Sequence, residues 1–230
     1  MKFGVVSKND DVHIIARVLA MFDFDIDNNK PDFVITYGGD GTILSAERKY
    51  PGIPKITIRG SERGFKCNYS ENELEDVFIK IDNGSYKLNE EIKLETSFKG
   101  KKYLSLNEVQ IHNSSPIRAI RFSIYADKLP LFENIIGDGA VISTPFGSTA
   151  YFSSVGGEKF DNGIGIALNN PYNVRLKPII IDNCFPEIHI KILRDDGLLL
   201  FDNDENIIKT KGGDDIKIKI SEITAKFVII

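Results

Sequence analysis

The strongest constraint on the fold is an apolar, strand-like segment that runs directly into a glycine-rich turn built around one carboxylate. Residues 34–37 are followed by Gly38, Gly39, Asp40, Gly41 and Thr42. Glycine tolerates positive φ and has no side chain to block approach, so consecutive backbone N–H groups of such a turn can converge on phosphate oxygens beside a helix start. The alternative is a tight strand-to-helix turn in which Asp40 is only the N-cap.

The sequence on both sides of this turn predicts an open α/β sheet. An apolar strand at residues 3–6 precedes a helical segment with Asn9 or Asp10 as its cap, and the next strand covers residues 33–37. Strand, helix and strand at this spacing predict a right-handed parallel crossover. The glycine turn then lies at the carboxyl end of a strand, where open α/β sheets bind ligands.

The following elements continue this α/β pattern. Residues 42–50 predict a helix, and residues 55–58 predict a strand. Ser70 and Glu73 have the spacing of a capping box for a third helix, which Gly84 ends. These signals together predict three helices around a parallel sheet.

Further along, the periodicity changes from helical to alternating. Residues 188–192 and 216–220 alternate apolar and polar side chains, which is typical of strands with one buried face. Glycine- and aspartate-rich turns at residues 195–197 and 212–214 predict antiparallel hairpins. Several antiparallel strands in a sandwich are more economical here than further βαβ units.

We therefore expect two domains. Residues 1–86 form an α/β N-terminal lobe with a Rossmann-like parallel sheet, and residues 87–230 form an all-β, sandwich-like domain whose C-terminal segment can cross back to the first. The chain has 230 residues, of which 42% are hydrophobic and 27% charged. This length and composition are those of an ordinary globular protein with a sizeable core.

Charge and hydropathy exclude several classes of protein. A net charge of −4 argues against an extended nucleic-acid surface. The sequence contains neither an apolar run long enough to span a bilayer nor a signal peptide, so we expect a cytoplasmic protein without a membrane partner. Cys67 and Cys184 lack the spacing of a zinc site and are expected to be buried thiols.

Asp40 says more about chemistry than the glycines around it. A carboxylate beside phosphates is electrostatically unfavourable unless it binds a metal ion or handles a proton. In a kinase it can accept the proton of the attacking hydroxyl while the glycine turn holds the phosphates. We interpret Asp40 as a candidate general base.

Two later segments carry further polar groups. Asn107 and Glu108 interrupt an apolar strand pattern, either near a strand end, where they can reach a ligand, or at an exposed edge. Residues 137–157 lead from an apolar strand into a turn crowded with hydroxyl groups and then into a short helix. Ser148 or Thr149 can simply cap that helix, or the turn can hydrogen-bond a ribose or an adenine edge, with Tyr151 as a flat apolar face.

The segments 38–42, 107–108, 138–139 and 143–151 (GGDGT, NE, DG and STPFGSTAY), in that order, resemble those of the NAD kinase family. The resemblance covers most of the chain. It implies ATP-dependent phosphorylation of the 2′-hydroxyl on the adenosine ribose of NAD, giving NADP, with Mg²⁺ bridging the donor phosphates. It also implies that residues 1–86 carry the phosphate donor and the catalytic loop, and that the β-rich domain binds the dinucleotide.

By motif position, the resemblance implies that Asp40 is the proton acceptor. The residues that it places in contact with the substrates are Gly38, Gly39, Gly41, Thr42, Asn107, Glu108, Arg118, Asp138, Thr149, Ala150, Tyr151, Phe152, Ser153 and Ser154. Two departures stand out: Phe146 occupies a position where the family usually has threonine, and residues 59–65 keep only the final Gly-Phe of the family's Asn-x-Gly-x-Leu-Gly-Phe segment.

Two other classes of function stay open. A lipid or sugar kinase can share the glycine turn, although the 107–108 and 143–151 segments speak against it. A non-catalytic dinucleotide sensor would keep the pocket without the reaction, although the retained Asp40 argues for catalysis. The donor, ATP or polyphosphate, is likewise open, and the resemblance suggests a homodimer or homotetramer.

Overall fold

The computed structural model describes residues 1–8, 12–60, 64–183 and 187–230. The predicted cap at Asn9 or Asp10 and the thiol of Cys184 lie outside the described residues. The strands are β1 (Lys2–Ser7), β2 (Asp25–Ile26), β3 (Phe33–Gly38), β4 (Lys55–Arg59), β5 (Tyr69–Ser70), β6 (Lys87–Glu91), β7 (Leu94–Phe98), β8 (Lys101–Ser105), β9 (Glu108–Asn113), β10 (Ile120–Ala126), β11 (Leu129–Gly137), β12 (Gly139–Ser143), β13 (Ile164–Asn169), β14 (Ile179–Ile181), β15 (Ile188–Arg194), β16 (Gly197–Phe201), β17 (Ile208–Thr210), β18 (Asp215–Ile220) and β19 (Ala225–Ile229).

Four α-helices and two short 3₁₀ helices complete the described elements. They are α1 (His13–Met21), α2 (Asp40–Lys49), α3 (Leu74–Asp82) and α4 (Tyr151–Ser154), with the 3₁₀ turns Glu71–Glu73 and Phe146–Thr149. Among the described residues, every helix is too short or too polar to cross a membrane.

The chain divides into two compact units. Unit 1 contains Met1–Glu91 and Ile223–Ile230, and unit 2 contains Ile92–Glu222. The C-terminal strand β19 thus belongs to unit 1, where it pairs in parallel with β4 and antiparallel with β6. Because β6 pairs with β19, it also belongs to unit 1. The sequence predicts residues 87–91 as part of the second domain.

Unit 1 is built on a sheet with the strand order β2-β1-β3-β4-β19-β6, in which β5 pairs with β4. The crossover from β1 to β3 is parallel, as predicted. Alternate residues of β3 serve opposite faces, because strand side chains alternate. Ile35 packs with residues of α1 and α3, such as Leu19, whereas Val34 packs with Ala46 of α2. Helices on both faces explain why β3 is almost wholly apolar.

The capping box predicted before the third helix is present. The backbone N–H of Ser70 donates to the Glu73 carboxylate at 2.8 Å, and both halves of the box are formed. It caps the short 3₁₀ turn that leads into α3. Gly84, at φ 72°, follows the end of α3, as the sequence predicted.

Unit 2 is a β-sandwich, which confirms the predicted fold class. One sheet has the strand order β11-β10-β15-β18-β7-β8, and the other has the order β14-β13-β12-β9-β16-β17. A single apolar cluster contains buried residues of both sheets, among them Phe122, Ile142 and Ile190.

The prediction of hairpins at residues 195–197 and 212–214 is wrong. Strand β15 pairs with β10 and β18, whereas β16 pairs with β9 and β17. Both turns therefore carry the chain from one sheet of the sandwich to the other. Turn composition marks a reversal of direction but does not distinguish a hairpin from a crossing between two packed sheets.

Candidate active site

The glycine turn lies at the carboxyl end of β3, as predicted, and α2 begins directly after it. Gly39 is the N-cap residue of α2, and its carbonyl accepts the backbone N–H of Thr42 at 2.9 Å. Asp40 is the first residue of the helix and does not cap it with its side chain. The interpretation of Asp40 as the N-cap is therefore wrong, and its carboxylate is available for another role.

The Asp40 carboxylate is held from a distant part of the sequence. Its Oδ1 accepts the backbone N–H of Lys66 at 2.9 Å, and the residue is partly exposed. A negative side chain in the first turn also interacts favourably with the helix dipole. The nearby thiol of Cys67 stays protonated, since burial and then the charge of Asp40 raise its pKa to about 11. A protonated thiol adds no negative charge beside the Asp40 carboxylate.

Close packing within the turn requires glycine at position 38. Gly38 has φ 156°, and a Cβ there would lie 2.4 Å from the Thr42 hydroxyl oxygen. Thr42 itself is buried, and its hydroxyl has no hydrogen-bond partner among the described residues. The Gly38 carbonyl accepts the backbone N–H of Gly60 at 3.1 Å. The turn is thus held by contacts within the chain, through Thr42 and through Gly60.

In unit 2, Asn107 and Glu108 stand at the start of β9. The Asp202 carboxylate accepts their backbone N–H groups at 2.8 and 3.1 Å, respectively. The carbonyl of Asn107 accepts the backbone N–H of Thr144 at 2.9 Å. A Cβ on Gly147 would lie 2.2 Å from the same carbonyl oxygen, so the 3₁₀ turn after Thr144 packs directly on the backbone of Asn107.

Glu108 is a buried carboxylic acid. The residue is 4% exposed, and its Oε2 makes no hydrogen bond within the described part of the chain. The other oxygen accepts a long hydrogen bond, 3.3 Å, from the Gln110 amide. Burial, and then the negative charge of Asp202, raise the pKa of Glu108 to about 7. The group can therefore change protonation state near neutral pH.

Arg118 and Asp138 are brought together by one buried amide. Asn113 donates to an Asp138 carboxylate oxygen and to the Arg118 carbonyl, both at 3.1 Å. Asn170 donates to the second carboxylate oxygen of Asp138 at 3.0 Å. Both oxygens of Asp138 are thus oriented by amides, while Arg118 is exposed.

Two pairs of predicted residues lie at opposite ends of the paired strands β9 and β12: Asn107 with Glu108, and Arg118 with Asp138. Glu108 pairs with Ser143 at one end, and Gly139 pairs with His112 at the other. Five residue steps separate Glu108 from Asn113, which corresponds to roughly 17 Å along the strand. Asn107 and Glu108 therefore cannot contact the same few atoms of a ligand as Arg118 and Asp138.

The segment 149–154 contains exposed and buried side chains. Thr149, Ser153 and Ser154 are exposed, and Ala150 is partly exposed. Phe152 is fully buried against core residues that include Phe160, because its ring fits where Gly157 and Gly165 lack side chains. Its side chain serves packing, and only its backbone is left for the predicted ligand contact.

Tyr151 is placed differently from Phe152. It is partly exposed, and its hydroxyl accepts a hydrogen bond of 3.3 Å from the Asn169 amide. Asn169 pairs with Gly139 in the sheet, so this contact ties the start of α4 to the end of β12 that carries Asp138.

Sequence reasoning missed the residues that orient the site. Asp202 and Asn113 each hold a predicted site residue, and Lys66 holds Asp40 through its backbone. Asn113 is the last residue of β9 and Asp202 directly follows β16, positions that many other polar residues share. The backbone of Lys66 gives no sequence signal at all.

The fold and the site define a kinase: an α/β unit with a glycine turn and a positioned carboxylate, joined in sequence to a β-sandwich. Residues 106–230 match the family model described as ATP-NAD kinase C-terminal domain. An NAD kinase of Thermoplasma volcanium is 33% identical over 218 residues, which cover 93% of this chain and 79% of that protein. The chain belongs to the NAD kinase family.

Two further comparisons agree with this assignment. A bifunctional NADP phosphatase/NAD kinase of Methanococcus maripaludis is 34% identical over 206 residues, covering 85% of this chain but only 36% of that longer protein. The crystal structure of an NAD kinase from Archaeoglobus fulgidus in complex with ATP superposes with a TM-score of 0.87 at 23% identity, covering 99% of this chain and 93% of that chain. At this identity the structural likeness supports the fold alone.

Proposed function

We propose that this chain transfers the terminal phosphoryl group of ATP to the 2′-hydroxyl on the adenosine ribose of NAD, forming NADP. The observation that carries the proposal is the Asp40 carboxylate, held by the Lys66 N–H at 2.9 Å at the start of α2 in a chain of the NAD kinase family. A carboxylate held beside a glycine turn that can bind phosphate is placed to accept the proton of the attacking hydroxyl group.

The chemistry assigned to this turn is positioning and proton transfer. The ribose hydroxyl becomes a better nucleophile as Asp40 accepts its proton, and the terminal phosphoryl group of ATP leaves ADP for the 2′-oxygen. The start of α2 and the turn at Gly38, Gly39 and Gly41 provide a positive potential and space for phosphate oxygens. The turn thus supports the transferring group while Asp40 activates the acceptor.

NAD recognition is assigned to unit 2. We propose that Asn107 and Glu108 contact one part of the dinucleotide, and that Arg118 and Asp138 contact another, because the strand length separates the two groups. Residues 149–154 complete the set through exposed hydroxyls, the Tyr151 ring and backbone groups. A homodimer or homotetramer remains our proposal for the assembly, and light scattering would measure it.

Mg²⁺ is proposed to enter with the donor. No group of three or more His, Cys, Asp or Glu side chains that could hold a metal ion occurs in residues 1–8, 12–60, 64–183 and 187–230. Mg²⁺ commonly keeps several waters and binds through substrate phosphates, so the phosphates of ATP would bring the ion, and its charge would offset that of Asp40 nearby. When bound, the ion offsets phosphate charge. Polyphosphate is an alternative donor, and a cytoplasmic location is part of the proposal.

A panel of acceptors tests the proposal. The purified protein is supplied with Mg²⁺ and ATP, and phosphoryl transfer to NAD, diacylglycerol and a set of sugars is measured. We expect NADP formation that requires ATP, with no transfer to lipid or sugar. Tight NAD binding by calorimetry without any NADP would identify a sensor instead, and transfer to another acceptor would refute the assignment.

A further inference from the structure

The segment that carries Asn107 and Glu108 is held through all of its backbone N–H groups by one side chain. The carboxylate of Asp202 accepts the N–H of Leu106 at 2.9 Å through Oδ2, and those of Asn107 and Glu108 at 2.8 and 3.1 Å through Oδ1. Hydrogen bonds to a carboxylate are stronger than those between neutral groups. Three of them on consecutive residues fix the direction in which the chain enters β9.

The carbonyl groups of the same three residues are also engaged. The Thr144 hydroxyl donates to the carbonyl of Leu106 at 2.6 Å, and its backbone N–H donates to that of Asn107 at 2.9 Å. The backbone N–H of Asp202 donates to the carbonyl of Glu108 at 3.0 Å. Every backbone polar group of residues 106–108 therefore has a partner, and Asp202 provides four of these six contacts.

A carboxylate suits this position better than an amide. An aspartate carboxylate offers acceptors on both oxygens, whereas asparagine would turn an NH₂ group toward a backbone N–H. Asp202 also has φ 47°, a left-handed conformation that aspartate and asparagine tolerate better than most residues. Alanine at position 202 would leave the three N–H groups of residues 106–108 without their acceptor.

We propose that Asp202 is a positioning residue for NAD recognition: by holding the backbone of residues 106–108, it orients Asn107 and Glu108 toward the dinucleotide. This inference rests on the proposed function, since it takes Asn107 and Glu108 as the pair that contacts NAD. Asp202 acts through these two residues. Its loss should weaken NAD binding more than ATP binding.

Two variants and one matched control test the role. Asp202→Ala removes both acceptor oxygens, and Asp202→Asn removes one of them. Asp127→Ala is the control, because Asp127 also has a left-handed backbone, φ 53°, and also accepts a backbone N–H, that of Glu187, at 3.2 Å. Thermal unfolding of each variant shows whether the fold is retained.

The kinetic readout separates positioning from general destabilisation. In Asp202→Ala we expect KM for NAD to rise about tenfold and KM for ATP to change by less than about twofold. Asp202→Asn should lie between this variant and the unaltered protein, and Asp127→Ala should match the unaltered protein. Equal increases in both KM values, or no change in either, would overturn the proposal.

Amide hydrogen exchange measured by NMR tests the structural step without any activity. In the unaltered protein, the three amides of residues 106–108 should be protected, and in Asp202→Ala they should exchange at least about tenfold faster. Unprotected amides in the unaltered protein would refute the proposal even if Asp202→Ala does not fold. Protected amides in a protein that forms no NADP would refute the proposed function and leave the holding role of Asp202 supported.

Discussion

The carboxylate of Asp40 accepts the backbone N–H of Lys66 at 2.9 Å, across 26 residues of sequence. The bond engages Oδ1 and not Oδ2, so the carboxylate keeps a fixed orientation and a second acceptor oxygen. The donor is a neutral backbone group, so it adds no charge to the site. It is also kept when the side chain of Lys66 is substituted. The arrangement suits a carboxylate that must be held in one orientation.

Gly147 is predicted to be essential for the shape of the unit 2 site. A Cβ there would lie 2.2 Å from the carbonyl oxygen of Asn107 and 2.7 Å from its Cα, and these are backbone atoms that cannot move aside. Gly147→Ala should lower the free energy of unfolding by about 1–3 kcal/mol, the usual cost of overpacking. Urea denaturation measures this cost, and calorimetry should show weaker NAD binding.

Gly212→Ala is the matched control for Gly147. Its nearest neighbour would be Arg194 Cα at 3.5 Å, an ordinary contact. It should leave both stability and NAD affinity nearly unchanged. If the two variants behave alike, the contact with Asn107 does not constrain the site.

Glu108 should make the stability of the protein depend on pH. Its pKa in the folded state, about 7, lies above its ordinary value of 4.5 because of burial and then the charge of Asp202. The folded state then holds the proton more tightly than the unfolded state. The contribution is complete below pH 4.5 and is lost as the pH rises through 7, so the free energy of unfolding falls by about 2–3 kcal/mol over this window.

Glu108→Gln should remove this dependence, because glutamine is neutral at every pH. Chemical denaturation at pH 5 and pH 8 measures the difference in the free energy of unfolding for the variant and the unaltered protein. Glu133→Gln, at an exposed position of β11, controls for the substitution itself. A pH dependence that is the same in all three proteins would show that Glu108 does not carry it.

The buried ion pair of Lys55 and Glu47 should stabilise unit 1 only as a pair. Both side chains are almost fully buried, Lys55 also donates to the Tyr50 carbonyl at 2.6 Å, and Glu47 accepts the Gly52 N–H at 3.0 Å. Lys55→Met removes the buried cation that contacts the Glu47 carboxylate and should cost about 3–5 kcal/mol. Thermal and urea unfolding measure this loss.

The double variant Lys55→Met/Glu47→Gln provides the test of pairing. Glutamine is neutral and can still accept the Gly52 N–H, so much of the loss should be recovered. A double variant that is as unstable as Lys55→Met would show that the penalty does not come from the charge that Glu47 keeps when Lys55 is replaced.

The sequence predicts those parts of the fold that local signals control. The Ser70–Glu73 capping box needs only residues three apart, and the strand–helix–strand spacing fixes the parallel pairing of β1 and β3. The turns near Gly197 and Gly213 cross between the two sheets and do not form the predicted hairpins, because pairing partners depend on contacts far away in sequence. For the same reason the sequence does not predict that β19 lies between β4 and β6.

In the candidate site, too, local sequence signals are predictable and contacts between distant residues are not. Asp40 and Asn107 stand in motifs with a recognisable spacing, so the sequence predicts them. Asp202 holds Asn107 from 95 residues away, and Lys66 holds Asp40 through a backbone group that any residue type provides. The burial of Phe152 depends on Gly157 and Gly165, whose role appears only when the strands and α4 are packed.

The turnover of Asp40→Asn tests the central claim most directly. Asparagine keeps the size of the side chain and an oxygen for the Lys66 N–H but cannot take the proton of the ribose hydroxyl. Asp76→Asn is the control, because Asp76 also lies in the first turn of a helix, α3. Rates of NADP formation and NAD affinities are measured for both variants.

We expect kcat of Asp40→Asn to fall by about a hundred- to ten-thousand-fold while its affinity for NAD changes by less than about twofold. Asp76→Asn should keep the turnover of the unaltered protein. An Asp40→Asn variant that forms NADP at the unaltered rate would contradict the account, since the reaction would then proceed without the base on which it depends.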